Sequence, residues 1–412
     1  MTYTEMKESG VPGGGQIPFE WMVSTFGKIA TVKPNLVSPF DYPDFIQISP
    51  ENITKDSGHL LNYGTVANSG VISWNHLFHK GQIIYSKIRP ALNKVAIAPF
   101  DGLCSADMYP IETFHNSYFL LYLMRSPYFV EQVSMITGNR VKMPKINQNE
   151  LSSIRVILPP RKLEESIANF LRNKCSDIDD IIDEAAKSIE EYKNWKTSVI
   201  YQAVTKGLNP DIEMKDSGVS WIGKTPVHWH LCRVKNVLIN LDELRQPVSA
   251  ENRENKLGLY DYYGASGIID RIDDYNVDDT VLLIGEDGAN LRMRNLPLVY
   301  RASGKFWVNN HAHILKPKAN CRYGFAAYAL EAGDYNIYIT GTAQPKLTQF
   351  NLMRFPIVLP PIDEQDEIER YLDCQCSTIE SLINEKQSLI TDLEAYKKSL
   401  IYETVTGKRK VV

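Results

Sequence analysis

The 412-residue sequence has no run of about 18 apolar residues, so no segment of it is expected to span a membrane. Its first fifteen residues, MTYTEMKESGVPGGG, lack the basic-then-apolar layout of a secretory leader. Six cysteines are scattered without a C-x-x-C pair, which argues against a disulfide framework and against a zinc ribbon. A cytoplasmic location is the expectation.

Catalytic signatures are scarce too. There is no Walker loop, no H-E-x-x-H and no G-x-S-x-G. The Gly13-Gly14-Gly15 run follows no convincing strand and opens no helix, so it reads as a flexible segment. A DNA adenine methyltransferase needs Asn- or Asp-Pro-Pro-aromatic, whereas both Pro-Pro pairs here follow Leu. His311-x-His313 supplies two ligands and no third at helpful spacing, so no metal site is expected. Glu286-Asp287 with Lys305 is a set that a nuclease could use, but two acids and a lysine are common in any chain. No catalytic residue is assigned.

The net charge of −4 argues against a nonspecific nucleic-acid coat, yet the acids are unevenly spread. Ser57 to Phe100 contains none, while holding Lys80, Lys87, Arg89 and Lys94. Gly288 to Leu330 contains none either, and holds Arg292, Arg294, Arg301, Lys305, Lys316, Lys318 and Arg322. Such stretches predict local basic surfaces of the kind a phosphate backbone needs; the alternative is buried strands, where acids are rare anyway.

The chain is written twice. Leu158-Pro159-Pro160 and Leu359-Pro360-Pro361 stand 201 residues apart, and at that offset Ile167 meets Ile368, Leu171 meets Leu372, Ile182 meets Ile383 and Ile189 meets Ile390. Lys196, Tyr201, Val204 and Thr205 likewise find Lys397, Tyr402, Val405 and Thr406. A second set of anchors matches Met6 to Val11 with Met214 to Val219, and Trp21 with Trp229. A third matches Pro144-Lys145-Ile146 with Pro345-Lys346-Leu347, and the sequences between anchors barely agree. The expected division is 1–157 and 209–358 as variable blocks, with 158–208 and 359–412 as similar ones.

The similar blocks read as helix. A short amphipathic segment follows each Pro-Pro pair, and a capping-box pattern, Ser176 with Asp179 and Ser377 with Glu380, predicts a fresh helix after it. A 3-4 spacing then predicts a coiled-coil seam of Ile178, Ile181, Ala185, Tyr192, Trp195 and Val199, interrupted by Ser188. Its copy is Ile379, Leu382, Leu389, Leu393, Tyr396 and Leu400, interrupted by Lys386. Gly207 and Pro210 stop the first helix and Gly407 the second. The variable blocks look mixed, with strands at 82–85, 95–98 and 281–284 and helices at 118–124 and 323–330.

Two variable blocks alternating with two duplicated helical blocks resemble the specificity subunit of type I restriction–modification systems. The resemblance is carried by the two Leu-Pro-Pro repeats ending in Val-Thr, by Met214-Lys-x-Ser-Gly-Val through His228-Trp229, and by Gly81-Gln-Ile-Ile-Tyr-Ser-Lys-Ile-Arg-Pro90. It extends to Leu283 through Arg292 and Ala302 through His311, and so covers essentially the whole chain. One departure is Gly13-Gly14 where the second half has Trp221-Ile222, which predicts a looser first entry segment.

The resemblance implies an α+β fold: two mixed α/β target-recognition domains joined by two long antiparallel helices in an intramolecular coiled coil, with approximate two-fold symmetry. It implies that each variable block reads half of a split double-stranded DNA site and that the helical blocks dock two methyltransferase subunits. Those partners would hold S-adenosylmethionine, separate motor–nuclease subunits would cleave, and this chain would bind no cofactor and catalyse nothing alone. A helix over 178–204 rises roughly 40 Å, close to the roughly 34–36 Å of one DNA turn, so the spacer would set half-site separation.

Candidate DNA contacts are Lys87, Arg89, Lys94, Asn139, Arg140, Lys142 and Lys145 in the first block. In the second they are Arg292, Arg294, Lys305 and the segment Thr342 to Lys346, with Gln344 as a base reader. Arg pairs bidentately with guanine and Asn or Gln with adenine, while Lys more often meets phosphate. Two rival readings are a nuclease with a helical dimerisation arm and a scaffold whose variable domains bind protein.

Overall fold

The computed structural model describes residues 5–140, 142–254 and 256–411. It divides into two compact units, one of residues 1–186 with 387–412 and one of residues 187–386. Each unit is a mixed α/β head carrying part of both long helices, Arg161–Lys206 and Ile362–Val405. The fold class is α+β, as expected.

The heads differ in sequence but share a scaffold. In the first, a four-stranded antiparallel sheet runs in the order Val95–Ile97, Ile83–Ser86, Met108–Thr113, Ala30–Val32. In the second, Val299–Val308, Val277–Gly285, Ala312–Pro317 and Leu238–Asn240 follow one another in the same order and sense. The helices Ser117–Arg125 and Tyr323–Glu331 cover these sheets, each buried along most of its length. Beyond this scaffold the heads part. The first adds a separate five-stranded sheet containing Asn75–Phe78 and Gly102–Cys104, and the second extends its sheet with the hairpin Tyr260–Gly264 and Gly267–Ile272.

The long helices hold the heads by buried polar contacts as well as apolar ones. Buried Glu164 accepts from His115 Nδ1 (2.7 Å) and from the Asn116 amide (3.1 Å), at the start of the helix Ser117–Arg125. At the equivalent place Gln365 accepts from the Arg322 amide (2.7 Å), at the start of Tyr323–Glu331. Orphan amides at a helix start need such an acceptor.

Neither long helix breaks where a fresh one was expected, for Ser176 and Ser377 lie exposed in mid-helix. The residues of the supposed capping boxes have another use. Asp179 takes a salt bridge from Lys397 at 2.5 Å within the first unit, and Glu380 takes one from Lys196 at 2.5 Å within the second. The two carboxylates, Asp179 and Glu380, are equivalents across the duplication, as are the two lysines, Lys196 and Lys397, each set at the 201-residue offset. In the second unit the indole of Trp229 bonds Glu364 (2.9 Å) and lies against Gly207, where a Cβ would stand 3.2 Å from its ring. Rising numbers in the first helix thus meet falling numbers in the second, so the helices pack antiparallel there.

The seam is not the predicted one. A stripe of buried and half-buried positions in the first helix runs through Cys175, Ile178, Ile182, Ala185, Ile189, Tyr192, Lys196, Val199 and Ala203. The second helix repeats them as Cys376, Ile379, Ile383, Lys386, Ile390, Leu393, Lys397, Leu400 and Thr404. Ile178, Ala185, Tyr192, Val199, Ile379, Leu393 and Leu400 belong to it, and Leu382 is half-buried beside it. Ile181, Trp195, Leu389 and Tyr396 are exposed instead. Lysine explains the misreading. Lys196 and Lys397 turn inward to carboxylates, so the adjacent aromatic, 100° further round the helix, faces out.

The triglycine is also ordered. Gly13 and Gly15 take positive φ in a tight turn, and a Cβ at buried Gly14 would sit 2.9 Å from Ile157. Tyr402 Oη donates to Gly13 O (3.1 Å) and Lys408 Nζ to Gly14 O (2.6 Å), so the end of the second helix docks on this turn. The counterpart turn receives Tyr201 (3.1 Å) and Lys206 (2.7 Å) on Ile222 O. The first entry segment is therefore no looser than the second.

Ile189→Ala, at a position 8% exposed, is expected to cost about 2–4 kcal/mol, while Ile181→Ala, 45% exposed, should cost under about 0.5 kcal/mol. Urea unfolding of the two variants measures the difference, and equal losses would refute this seam.

Candidate nucleic-acid interface

Each head builds a crossing of two segments just past the end of an inner strand of its scaffold sheet. In the first, the strand Ile83–Ser86 runs on to Arg89, and residues 144–146 return beside it. The Arg89 amide donates to Pro144 O (2.8 Å) and the Ile146 amide to Lys87 O (2.9 Å). The second head repeats the pattern: the Gly288 amide donates to Pro345 O (3.1 Å) and the Leu347 amide to Glu286 O (2.7 Å). A single turn of helix follows in each, Pro90–Leu92 and Asn290–Met293, closed by Asn93 (φ 44°) and Arg294 (φ 55°) in left-handed backbone. Side chains with positive φ are uncommon and mark a backbone held by its surroundings. So the structure joins Lys87 and Arg89 with Pro144 to Ile146, Glu286 and Gly288 with Pro345 to Leu347, and Arg292 with Gly341, which sequence order keeps apart.

The two crossings present opposite chemistry. Half-buried Lys87 stands over the Tyr109 ring (5.4 Å), and among the described residues no carboxylate lies within salt-bridge reach of its ammonium. Burial, and then Lys87, lower the pKa of neighbouring His76. At the matching position Glu286 is nearly buried, held by Lys346 (2.9 Å) and by a short bond from Arg245. Burial pushes that carboxyl up, but the hydrogen bonds from Lys346 and Arg245 outweigh it and leave it below its ordinary value.

Histidines in the second head are struts. His313, fully buried, meets Asp242 (2.6 Å) through Nδ1 and donates from Nε2 to Leu347 O (2.7 Å), tying the sheet to the 345–347 segment. His311 pairs with Asp287 at 2.8 Å. Among the described residues no group of three or more metal-ligating side chains occurs.

Several candidates are already engaged by the protein. Lys94 donates to Pro50 O (2.6 Å), Arg140 pairs with Glu150, and Lys145 reaches Asp107 at 3.1 Å. Arg294 donates to the carbonyls of Glu331 (2.9 Å) and Gly333 (2.8 Å), and Lys346 is spent on Glu286. Arg89, Asn139, Lys142, Arg292, Lys305 and Gln344 are exposed. Arg292 lies within 3.3 Å of Gly341 O, and Lys305 over the Tyr275 ring at 4.5 Å.

The acid-free stretch at 288–330 is therefore not a basic surface throughout. Arg301 pairs with Asp373 (3.1 Å), Lys316 with Asp279 (2.5 Å) and Arg322 with Asp366 (2.8 Å), all acids from outside the stretch. Sequence reasoning also missed Ile72 (77% exposed) and Trp74 (61% exposed) on the turn leading to Asn75–Phe78, where His76 lies near Lys87. The signal was there, an apolar Val-Ile-x-Trp within a turn.

The profile of the type I restriction modification DNA specificity domain matches residues 20–191 and 226–391, one copy in each half. The chain belongs to this specificity family. It is similar to the type I restriction enzyme EcoDI specificity subunit of Escherichia coli, 37% identical over 203 residues, or 48% of this chain and 46% of that one. The match thus spans about half of that subunit. It is also similar to the putative MjaX specificity subunit of Methanocaldococcus jannaschii, 24% identical across 96% of this chain and 95% of that one. A solved chain from work on the assembly and conformational transition of the type I R-M system shares the fold, with a TM-score of 0.73 at 16% identity over 95% of this chain and 99% of that one.

Arg294→Ala should lower stability by roughly 1 kcal/mol, through loss of its bonds to the Glu331 and Gly333 carbonyls. Thermal melting measures this; an unchanged melting temperature would free Arg294 for another role.

Proposed function

We infer that this chain is the DNA-reading subunit of a type I restriction–modification enzyme, each head recognising one half of a split double-stranded site. The observation that supports it best is the paired crossing. One backbone frame, repeated in both halves of a chain with two specificity domains, carries Lys87 and Arg89 in one head and Glu286 and Gly288 in the other. A shared frame with different side chains lets two half-sites differ in sequence.

Contacts from the first head would come from Lys87, Arg89, Asn139 and Lys142, and from the second through Arg292, Lys305 and Gln344. Lys meets phosphates as a point charge, whereas Arg, Asn and Gln offer the paired donors and acceptors that base edges require. The long helices, 46 and 44 residues, serve as spacer and as docking surface for two methyltransferase subunits, with motor–nuclease subunits joining in the full cytoplasmic complex. In this reading S-adenosylmethionine belongs to the methyltransferase partners, and the chain alone neither methylates nor cleaves.

Lys87→Ala with Arg89→Ala is expected to weaken duplex binding and make log K against log salt shallower by about 1 to 2, since each lost phosphate contact removes about 0.9. A mobility-shift series across salt concentrations, made on the chain co-expressed with its methyltransferase, measures it. An unaltered slope would remove both residues from the interface. Methylation mapping on a random-sequence library then reports the two half-sites, and a map without a split site would refute the assignment.

A further inference from the structure

We propose that the unit of residues 187–386 carries a second, phosphate-binding groove, formed by Arg233, Lys235 and Arg354 around Phe350, which grips the DNA backbone beside its half-site. The proposal rests on the DNA-reading function inferred above.

The groove follows from how three elements meet. The strand His230–Arg233 ends at Arg233, the turn of helix Val234–Val237 offers Lys235, and the helix Gln349–Arg354 supplies the facing wall. Thr348 caps that helix by accepting from the Asn351 amide (3.3 Å), and Gln349 Nε2 donates to Asn240 (2.6 Å), so the wall is fixed. Between them lies a cavity of about 570 Å³, lined by Arg233, Lys235, Gln349, Phe350, Met353 and Arg354. No acid lines it.

Among the described residues none of these three cations has a carboxylate within salt-bridge reach, whereas Arg245, Arg253, Arg301, Lys316, Arg322 and Lys346 of the same unit all do. Lys318 Nζ donates to Lys235 O (2.7 Å), which sets a fourth cation beside them. The Arg354 guanidinium stands 4.8 Å from the ring of Phe350, itself 66% exposed. Clustered like charges repel one another, and an anion relieves that cost.

The first head lacks the groove. Its equivalents of Arg233, Lys235, Met353 and Arg354 are Thr25, Gly27, Ser152 and Ser153, none charged. A Cβ at Gly27 would lie 2.8 Å from Ser152 Cβ, so the two elements close on each other there. The feature is thus specific to one half-site, not a requirement of the scaffold. Its helix follows directly on the 342–346 segment, and phosphates lie next to the bases that such a segment would read. That position favours DNA over an acidic protein surface.

The test uses the complex with the methyltransferase partner and a duplex carrying the mapped site. Arg233→Ala, Lys235→Ala and Arg354→Ala together should make the salt slope shallower by about 2 to 3. The mapped half-site sequences should stay unchanged, because phosphate contacts position and do not specify. The glutamine triple, which keeps side-chain bulk, should give the same slope, and both variants should melt as the parent does. A parental slope in a folded variant overturns the groove. A parental slope with lost methyltransferase co-purification overturns it in favour of an acidic protein partner. Should the parent complex itself bind duplex without salt dependence, the DNA-reading function falls first and the groove with it.

Discussion

A lysine from each long helix reaching a carboxylate on the other is the contact on which this molecule turns. Lys397 with Asp179 and Lys196 with Glu380 are the same contact made twice by a duplicated sequence. Apolar seams tolerate sliding by a turn, because one aliphatic layer resembles the next. The largely buried Lys397 does not, since a shift would strand its ammonium without Asp179 in a low-dielectric site. That pair therefore fixes register in the first unit, and the more exposed Lys196–Glu380 pair repeats its geometry in the second. The heads inherit that order, because Glu164 and Gln365 on these same helices hold the first amides of the head helices.

From that base the heads are free to differ. Their four-stranded sheets agree strand for strand, and so do the backbone crossings at Arg89 with Pro144 and Gly288 with Pro345. Around this frame one head adds a five-stranded sheet and the other a hairpin. The same frame position holds a lysine in one and a carboxylate in the other. Scaffold and readout are separated physically: main-chain hydrogen bonds make the first, side chains the second.

Duplication was the most legible feature of the sequence because it needs no prediction of geometry. It located both helical blocks, their ends at Gly207 and Gly407, and the matching entry segments. Single-residue chemistry was harder to place. Ile181 beside Ile182, and Trp195 beside Lys196, left two seams one position apart, and hydrophobicity alone favoured the tryptophan. Matching Lys196 with Lys397 and Asp179 with Glu380 at the common offset would have shown the paired charges. Among site residues, sequence order could bring neither Arg89 to Pro144 nor Arg292 to Gly341, since these meet only in the folded head. It also could not show that Lys94, Arg140, Lys145, Arg294 and Lys346 are engaged within the fold, because their partners lie elsewhere in the chain.

The borrowed acids of the second head carry a consequence for transplanting it. Asp279 precedes the cation-rich stretch, while Asp366 and Asp373 belong to the long helix that follows the head. An exchange of residues 288–330 alone would move arginines and lysines into a host without their counter-ions, and leave carboxylates behind without theirs. The segment that keeps these ion pairs intact is therefore longer than the head. It includes the opening turns of the helix that leaves it, so a functional joint between two such proteins belongs within the helix and not at its Leu-Pro-Pro start.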